Sequence, residues 1–66
     1  MTLTVNGEAT TVPTPSNVED LLRRLRIDAR QVAVERNRTL VRKTDYAATL
    51  LVAGDVLEIV SFVGGG

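Results

Sequence analysis

The fold of this 66-residue chain is decided by its longest apolar stretch, Val56-Leu57-Glu58-Ile59-Val60-Ser61-Phe62-Val63. Side chains along a strand point alternately to opposite faces. One face therefore carries Leu57, Ile59, Ser61 and Val63, and the other carries Val56, Glu58, Val60 and Phe62. Because Glu58 should avoid the core, we expect Leu57 and Ile59 to be buried, and Val60 and Phe62 to project from the open side. A strand so rich in valine and isoleucine is expected at the centre of a sheet.

The first twelve residues predict a β-hairpin. Residues 3–5 alternate between apolar and polar, as a half-buried strand does. Asn6-Gly7 follows, and this dipeptide suits a type I′ turn because both positions tolerate positive φ. Residues 8–12 then form the returning strand.

One amphipathic helix is predicted after Pro13 and Pro15. Ser16 is expected to be its N-cap, with Glu19 three residues later completing a capping box. One apolar stripe follows at helical spacing, formed by Val18, Leu21, Leu22 and Leu25. The pairs Glu19–Arg23 and Asp20–Arg24 are spaced for i,i+4 ion pairs. A helix with a single stripe needs a sheet against which to bury it.

The remaining residues supply further strands. Residues 32–36 are predicted as a third strand that turns at Asn37-Arg38 into a short strand at 39–41. Residues 42–51 are less regular, with Tyr46 and Leu50 expected to be packed, and residues 53–55 turn into the last strand. Because a strand rich in valine and isoleucine belongs at the centre of a sheet, we place the last strand beside the first and parallel to it, with a right-handed crossover between them. The result is an α+β fold, a β-grasp (ubiquitin-like) domain over residues 1–63, with a mixed four- to five-stranded sheet and one main helix packed on one face.

The composition argues against an enzyme. The chain has no cysteine and no histidine, which removes disulfides, thiolate metal sites and the usual nucleophiles. Carboxylates, hydroxyls, Tyr46 and the single lysine Lys43 remain, and a chain this short can hardly enclose a substrate pocket. Asp55 and Glu58 could be taken as a carboxylate pair, but the turn explains Asp55 and the solvent-facing side of the strand explains Glu58. We expect no catalytic residues and no metal site.

Net charge and hydropathy limit the classes of partner that the chain is expected to bind. The net charge is zero, which argues against nucleic-acid binding. No apolar run approaches the ~20 residues of a membrane span, so we expect a cytoplasmic monomer that binds no membrane. All eight basic residues lie between Arg23 and Lys43. We interpret this segment as a solvated surface, with contact to phosphates or to an acidic partner as the alternative.

The last three residues, Gly64, Gly65 and Gly66, predict a flexible tail. Glycines form a thread thin enough for a narrow channel, here with a carboxylate at its tip. We expect Gly66 to be modified by another protein while Gly64 and Gly65 thread into that partner's active site. The exposed residues next to the tail, Phe62, Val60 and Glu58, are expected to form a docking surface. The alternative for the tail is a frayed end or a linker. The alternatives for the docking surface are that Phe62 folds back over a local gap, or that singly exposed apolar residues have no role.

Taken together, these residues resemble the ThiS sulfur carriers of thiamine biosynthesis. The resemblance covers essentially the whole chain and is carried by Val32-Ala33-Val34-Glu35, Asn37, Gly54-Asp55, Glu58-Ile59-Val60 and Phe62-Val63-Gly64-Gly65-Gly66. A terminal Gly-Gly alone is shared with molybdopterin-synthase small subunits and ubiquitin-like modifiers. The chain departs from the family at three places. It has Asn37-Arg38 in the second hairpin turn, where Asn-Gly is frequent, and Arg26 or Ile27 where a glycine often closes the helix. It also has Val41-Arg42-Lys43 in place of the common Val-Pro-Arg, and Tyr46 in place of a common tryptophan.

The resemblance implies a role as carrier and co-substrate. The Gly66 carboxylate would be adenylated with ATP and magnesium inside a ThiF-like adenylating enzyme, the chain itself binding no cofactor. A persulfide sulfur donor would then convert it to a thiocarboxylate, and thiazole synthase would take the sulfur into the thiazole of thiamine. Three alternatives stay open: a sulfur carrier for another pathway such as molybdopterin or cysteine, a ubiquitin-like protein modifier, and a binding module that merely ends in glycine.

Overall fold

A computed structural model of the chain describes residues 1–62. Within this range the elements follow in the order β1 (Thr2–Val5), β2 (Glu8–Thr11), α1 (Val18–Arg24), β3 (Val32–Arg36), β4 (Thr39–Val41) and β5 (Val56–Ser61). Two 3₁₀ helices, Ala29–Gln31 and Lys43–Ala48, lie before β3 and after β4. The predicted order of strands and helix is confirmed. The expected domain end at Val63 and the glycine tail at 64–66 lie outside the described residues.

The sheet is mixed, with β5 at its centre. Its strand order is β2-β1-β5-β3-β4. β5 is parallel to β1, with Thr4 opposite Val56, and antiparallel to β3, with Ala33 opposite Val60. The most apolar strand is thus covered by neighbours on both sides, and the predicted β-grasp arrangement of one helix on a five-stranded sheet is confirmed.

Both hairpin turns have two consecutive residues at positive φ. In the first turn Asn6 has φ 49° and Gly7 has φ 84°, as the type I′ prediction requires. In the second turn Asn37 has φ 51° and Arg38 has φ 69°. The departure from Asn-Gly therefore leaves the turn class unchanged and puts an arginine in a conformation that only glycine adopts without steric cost.

The start of α1 corrects the predicted cap by one residue. Asn17, not Ser16, is the N-cap: its side-chain oxygen accepts from Asp20 N at 2.7 Å, and Asp20 Oδ2 accepts from Asn17 N at 3.0 Å. Asp20, not Glu19, closes the capping box. Ser16 is buried and donates its hydroxyl to the Pro13 carbonyl at 2.6 Å. Two overlapping capping motifs stand in the sequence, and burial of Ser16 leaves the second one to form the cap.

The end of α1 corrects the predicted stripe and one ion pair. Leu25 is the C-cap and remains 36% exposed, so the buried stripe consists of Val18, Leu21 and Leu22. Arg23 Nη2 forms the predicted ion pair with Glu19 Oε1 at 3.0 Å, and Arg23 Nη1 forms a second one with Asp20 Oδ1 at 3.3 Å. Within residues 1–62, Arg24 therefore makes no pair with Asp20, because Arg23 already holds that carboxylate.

The chain leaves α1 through Arg26 in the left-handed region, with φ 59°. Arg26 N donates to Arg23 O at 3.0 Å and Ile27 N donates to Leu22 O at 2.9 Å. This pair of hydrogen bonds is the Schellman arrangement, which is usually formed around a glycine. Arg26 thus occupies the position where the family resemblance leads one to expect glycine.

The core lies between α1 and one face of the sheet. Its buried residues are Leu3, Val5, Val12, Val18, Leu21, Leu22, Val32, Val34, Tyr46, Leu51, Leu57 and Ile59. The predicted burial of Leu57 and Ile59 is confirmed, as is that of Tyr46. The prediction for Leu50 is wrong: Leu50 is 62% exposed and Leu51 is buried instead. Leu50 bridges to Asn17, and Leu51 N donates to Ser16 O at 2.9 Å, which turns the Leu51 side chain inward.

None of the helices within residues 1–62 is long and apolar enough to cross a bilayer.

Candidate functional site

The sheet face that points away from α1 carries the predicted docking residues; we call it the open face. Strand register places on it Val56, Glu58 and Val60 of β5, Ala33 and Glu35 of β3, Leu40 of β4 and Thr4 of β1. Val60 and Leu40 are both 61% exposed, and Val56 is 45% exposed. The prediction that Glu58 and Val60 project away from the core is confirmed. Their role in docking remains a prediction.

Two carboxylates face each other at the middle of the open face. Glu35 of β3 lies directly opposite Glu58 of β5, and both are exposed. Among the described residues neither takes part in an ion pair. Like charges at directly opposed positions of an antiparallel pair lower the stability of a sheet, so this arrangement carries a small stability cost that no ion pair of the described residues offsets.

The start of β5 is fixed by a buried carboxylate. Asp55, which is 3% exposed, accepts hydrogen bonds from Arg36 Nε at 2.8 Å, Asn37 Nδ2 at 3.0 Å and Val52 N at 2.9 Å. Asn37 in turn accepts from Val56 N at 2.9 Å. Burial acts to raise the pKa of Asp55, but these hydrogen bonds outweigh it and hold the pKa below its usual value. The expectation that the turn accounts for Asp55 is confirmed, whereas its partners Arg36 and Asn37, 19 and 18 positions away, leave no local signal in the sequence.

Asn6 supports β5 farther along. Beyond Leu57, the strand has passed the end of β1, and the Asn6 side chain takes the place of a neighbouring strand. Its Oδ1 accepts from Ile59 N at 2.8 Å and its Nδ2 donates to Ile59 O at 3.2 Å. The sequence identified Asn6 only as a turn residue, because a contact between residues 53 positions apart leaves no local signal.

The end of β5 is fixed at Phe62, the last described residue. Phe62 N donates to Gln31 O at 3.2 Å. Lys43 Nζ lies 4.7 Å from the centroid of the Phe62 ring and donates to Arg30 O at 2.7 Å. The ring is nevertheless 58% exposed. Phe62 is thus accessible, as predicted, and its ring is oriented by a cation–π contact with Lys43 that could not be predicted from the sequence.

Lys43 and Tyr46, two of the candidate catalytic side chains that remain in the absence of cysteine and histidine, have structural roles. Lys43 contacts Phe62 and Arg30, and Tyr46 is buried with its hydroxyl 3.4 Å from the Val32 carbonyl oxygen. Burial raises the pKa of Tyr46, which makes it a poorer base or nucleophile near neutral pH. Among residues 1–62, no group of three or more acidic, histidine or cysteine side chains could hold a metal ion. Gly64, Gly65 and Gly66 lie beyond the described residues, so their threading and modification remain predictions.

Comparison with known proteins gives a family match over residues 2–66, to the ThiS family. A thiazole synthase of Paramagnetospirillum magneticum is 48% identical over all of this chain, which spans about a fifth of that relative's length. The sulfur carrier protein ThiS of Bacillus subtilis is 43% identical over 49 residues, or 74% of each chain. The crystal structure of a thiamine biosynthesis protein (ThiS) from Geobacter metallireducens superposes with a TM-score of 0.85 and 39% identity, each chain covered completely. The resemblance drawn from the sequence is confirmed, and with sequence and fold in agreement over almost its whole length, the chain belongs to the ThiS family.

Proposed function

We propose that this chain is the sulfur carrier of thiamine biosynthesis, with the carboxylate of Gly66 as the group that is modified. The observation that carries the proposal is the ThiS family match, which extends through residue 66 and so includes the glycine tail. The β-grasp fold shared with the Geobacter metallireducens ThiS structure supports it.

The proposed chemistry activates a carboxylate that is otherwise a poor electrophile. A Gly66 carboxylate oxygen attacks the α-phosphorus of ATP, pyrophosphate leaves, and an acyl-adenylate forms. Magnesium and cationic groups of the adenylating enzyme stabilise the developing charge. The outer sulfur of a persulfide donor then attacks the acyl carbon and displaces AMP. A second thiol cleaves the resulting acyl disulfide, which releases the thiocarboxylate and a disulfide.

In this proposal the chain contributes delivery and its partners contribute catalysis. Gly64 and Gly65 lack a Cβ, so the tail can enter an active site too narrow for ordinary side chains. Phe62, Val60 and Glu58 dock against the partner next to that entrance, and ATP and magnesium bind to the adenylating enzyme. The acceptor that we propose is thiazole synthase, since the relative of Paramagnetospirillum magneticum bears that name and includes a segment matching this entire chain.

The test is the intact mass of the protein co-expressed with its candidate adenylating enzyme and a sulfur source. We expect a mass increase equal to the exchange of one oxygen for one sulfur, located at Gly66 by fragmentation. Omission of the enzyme and deletion of Gly66 are the two controls, and each should abolish the increase. An unchanged mass beside an adenylating enzyme that still releases pyrophosphate would contradict the carrier role. Higher-mass conjugates in place of the thiocarboxylate would favour a protein modifier.

A further inference from the structure

Arg38 holds a backbone conformation that is unfavourable for arginine. Its φ of 69° places it in the left-handed region at the second position of the β3–β4 turn. Asn37 beside it has φ 51°, which asparagine tolerates, whereas arginine carries a Cβ against the steric limit and lacks asparagine's short polar side chain. Arg38 is exposed, and within residues 1–62 it forms no ion pair. No ion pair of the described fold therefore offsets its strain.

Arg38 lies at one end of the open face. It lines a groove together with Asn37, Val56 and Glu58. Val56 and Glu58 belong to the open face, so the positive charge of Arg38 stands next to Glu58, which lies opposite Glu35. Two features that lower the stability of the isolated chain, the strained arginine and the opposed glutamates, thus occupy the same surface. Departures of this kind, which no ion pair of the described residues offsets, are expected where a surface has been shaped by binding.

A typical protein interface is wide enough to include both Arg38 and the residues next to the glycine tail. From Val56 to Phe62 the chain advances six residues, or about 20 Å at ~3.3 Å per residue. A standard protein interface covers roughly 800 Å² on each partner and is thus about 30 Å across. The four residues after Phe62 span at most ~14 Å, so an enzyme that receives Gly66 must lie close to Phe62. An interface of standard size centred near Val60 covers both Phe62 and Arg38.

We propose that Arg38 is a specificity-determining residue of this interface, and that it pairs with a carboxylate on the surface of the adenylating enzyme. The surface of the adenylating enzyme also presents a cationic side chain to Glu35 and Glu58 and an apolar patch to Val60. The proposal rests on the proposed function, since it takes the enzyme that accepts the glycine tail as the occupant of the open face. The charge pattern of the face, positive at Arg38 and negative at Glu35 and Glu58, fixes the orientation of that enzyme.

The test compares three variants, Arg38→Gly, Arg38→Ala and Arg26→Gly, in thermal melts and in adenylation assays that give KM for the carrier and kcat. Arg38→Gly removes strain and charge, and Arg38→Ala removes the charge alone. Arg26→Gly is the control for strain and net charge, because Arg26 has φ 59° and lies at the end of α1, where it lines a groove with Ser61 on the α1 side of the sheet and not on the open face. Measurements at low and high salt separate an ionic contribution from a structural one.

We expect Arg38→Gly to raise the melting temperature by about 4 °C and to raise KM about five-fold, the upper range for an exposed ion pair, with kcat unchanged. Arg38→Ala should raise KM equally without the thermal gain. Arg26→Gly should give the thermal gain with KM unchanged. High salt should remove most of the difference in KM between wild type and the Arg38 variants.

Three outcomes would overturn the assignment: a wild-type KM for Arg38→Gly, an equal rise in KM for Arg26→Gly, or an effect of Arg38→Gly that salt leaves unchanged. The second outcome would mean that the change in KM comes from net charge or from contact of the enzyme with the α1 side of the sheet. The third would mean that it comes from the turn conformation. These results are distinguishable from a failure of the proposed function, which would show as a wild-type chain that the enzyme does not adenylate at all.

Discussion

Replacement of Asp55 by asparagine tests how much one buried carboxylate contributes to the position of the central strand. Asp55 Oδ2 accepts from Arg36 Nε and Val52 N, and Oδ1 accepts from Asn37 Nδ2. An asparagine has one acceptor oxygen, so its amide group must face at least one of these donors. Hydrogen bonds to a charged group are each worth about 1.5–3 kcal/mol. We therefore expect Asp55→Asn to lower the free energy of unfolding by about 2–3 kcal/mol.

This loss is large for a chain of 66 residues. A domain of that length has a total stability of roughly 3–10 kcal/mol, and each kcal/mol corresponds to a shift of about 4–8 °C in melting temperature. The variant should therefore melt about 8–24 °C below wild type, as measured by circular dichroism. Asp45→Asn is the control, because Asp45 is exposed and its side chain makes no ion pair among the described residues. Asp45→Asn should have the same melting temperature as wild type.

The pH dependence gives an independent check. The pKa of Asp55 is depressed in the folded protein, so its contribution is fully present above the unfolded pKa of about 3.9 and is lost as the pH falls through the folded pKa. Melts between pH 7 and pH 2 should show wild type and Asp55→Asn converging below pH 4. A variant as stable as wild type at pH 7, or a difference that persists unchanged at pH 2, would refute the argument that the charged hydrogen bonds hold β5.

Three further substitutions probe the docking residue, the helix cap and an exposed ion pair. Phe62→Ala should weaken binding to the adenylating enzyme and shift the melting temperature by only a few degrees, because the ring is 58% exposed; a large loss of stability with intact binding would contradict its assignment to docking. Asn17→Ala should destabilise the protein by about 1 kcal/mol in urea unfolding, since it removes the capping box, and an unchanged midpoint would argue against that cap. The hydrogen bonds from the side chain and the backbone N–H of Arg30 hold the pKa of the exposed Asp28 carboxyl at about 2. Arg30→Gln removes the side-chain contribution and should return the pKa part of the way toward 3.8 in a carboxyl NMR titration, and an unaltered pKa would show that the Arg30 side chain is not the cause.

The parts of the fold that could be predicted are those with a local period. The alternation of β5 separates Leu57 and Ile59 from Glu58 and Val60 without reference to any other strand, because one charged residue identifies the solvent side. The stripe of α1 is equally local. The first hairpin follows from Asn6-Gly7, since two adjacent positions that tolerate positive φ leave few other turns available.

The parts that could not be predicted depend on contacts distant in sequence or on a choice between adjacent residues. Ser16 and Asn17 each begin a plausible capping box, and only the burial of Ser16 decides between them. Leu50 and Leu51 stand in a segment without a period, so the bridge from Leu50 to Asn17 decides which one is buried. The opposition of Glu35 and Glu58 depends on strand register, which neither strand determines alone.

The central strand serves the core and the partner surface through alternate residues, and its anchors make this division possible. Asp55 and Asn37 fix its start, the Asn6 side chain holds Ile59, and Gln31 fixes its end at Phe62. Because these contacts hold the backbone before any partner arrives, the open face loses little conformational entropy on docking. Substitutions at Glu58 and Val60 should consequently change binding with little effect on folding, whereas those at Leu57 and Ile59 change folding first. A strand held less firmly would not separate the two effects, since a loss of packing on one face would also displace the residues on the other.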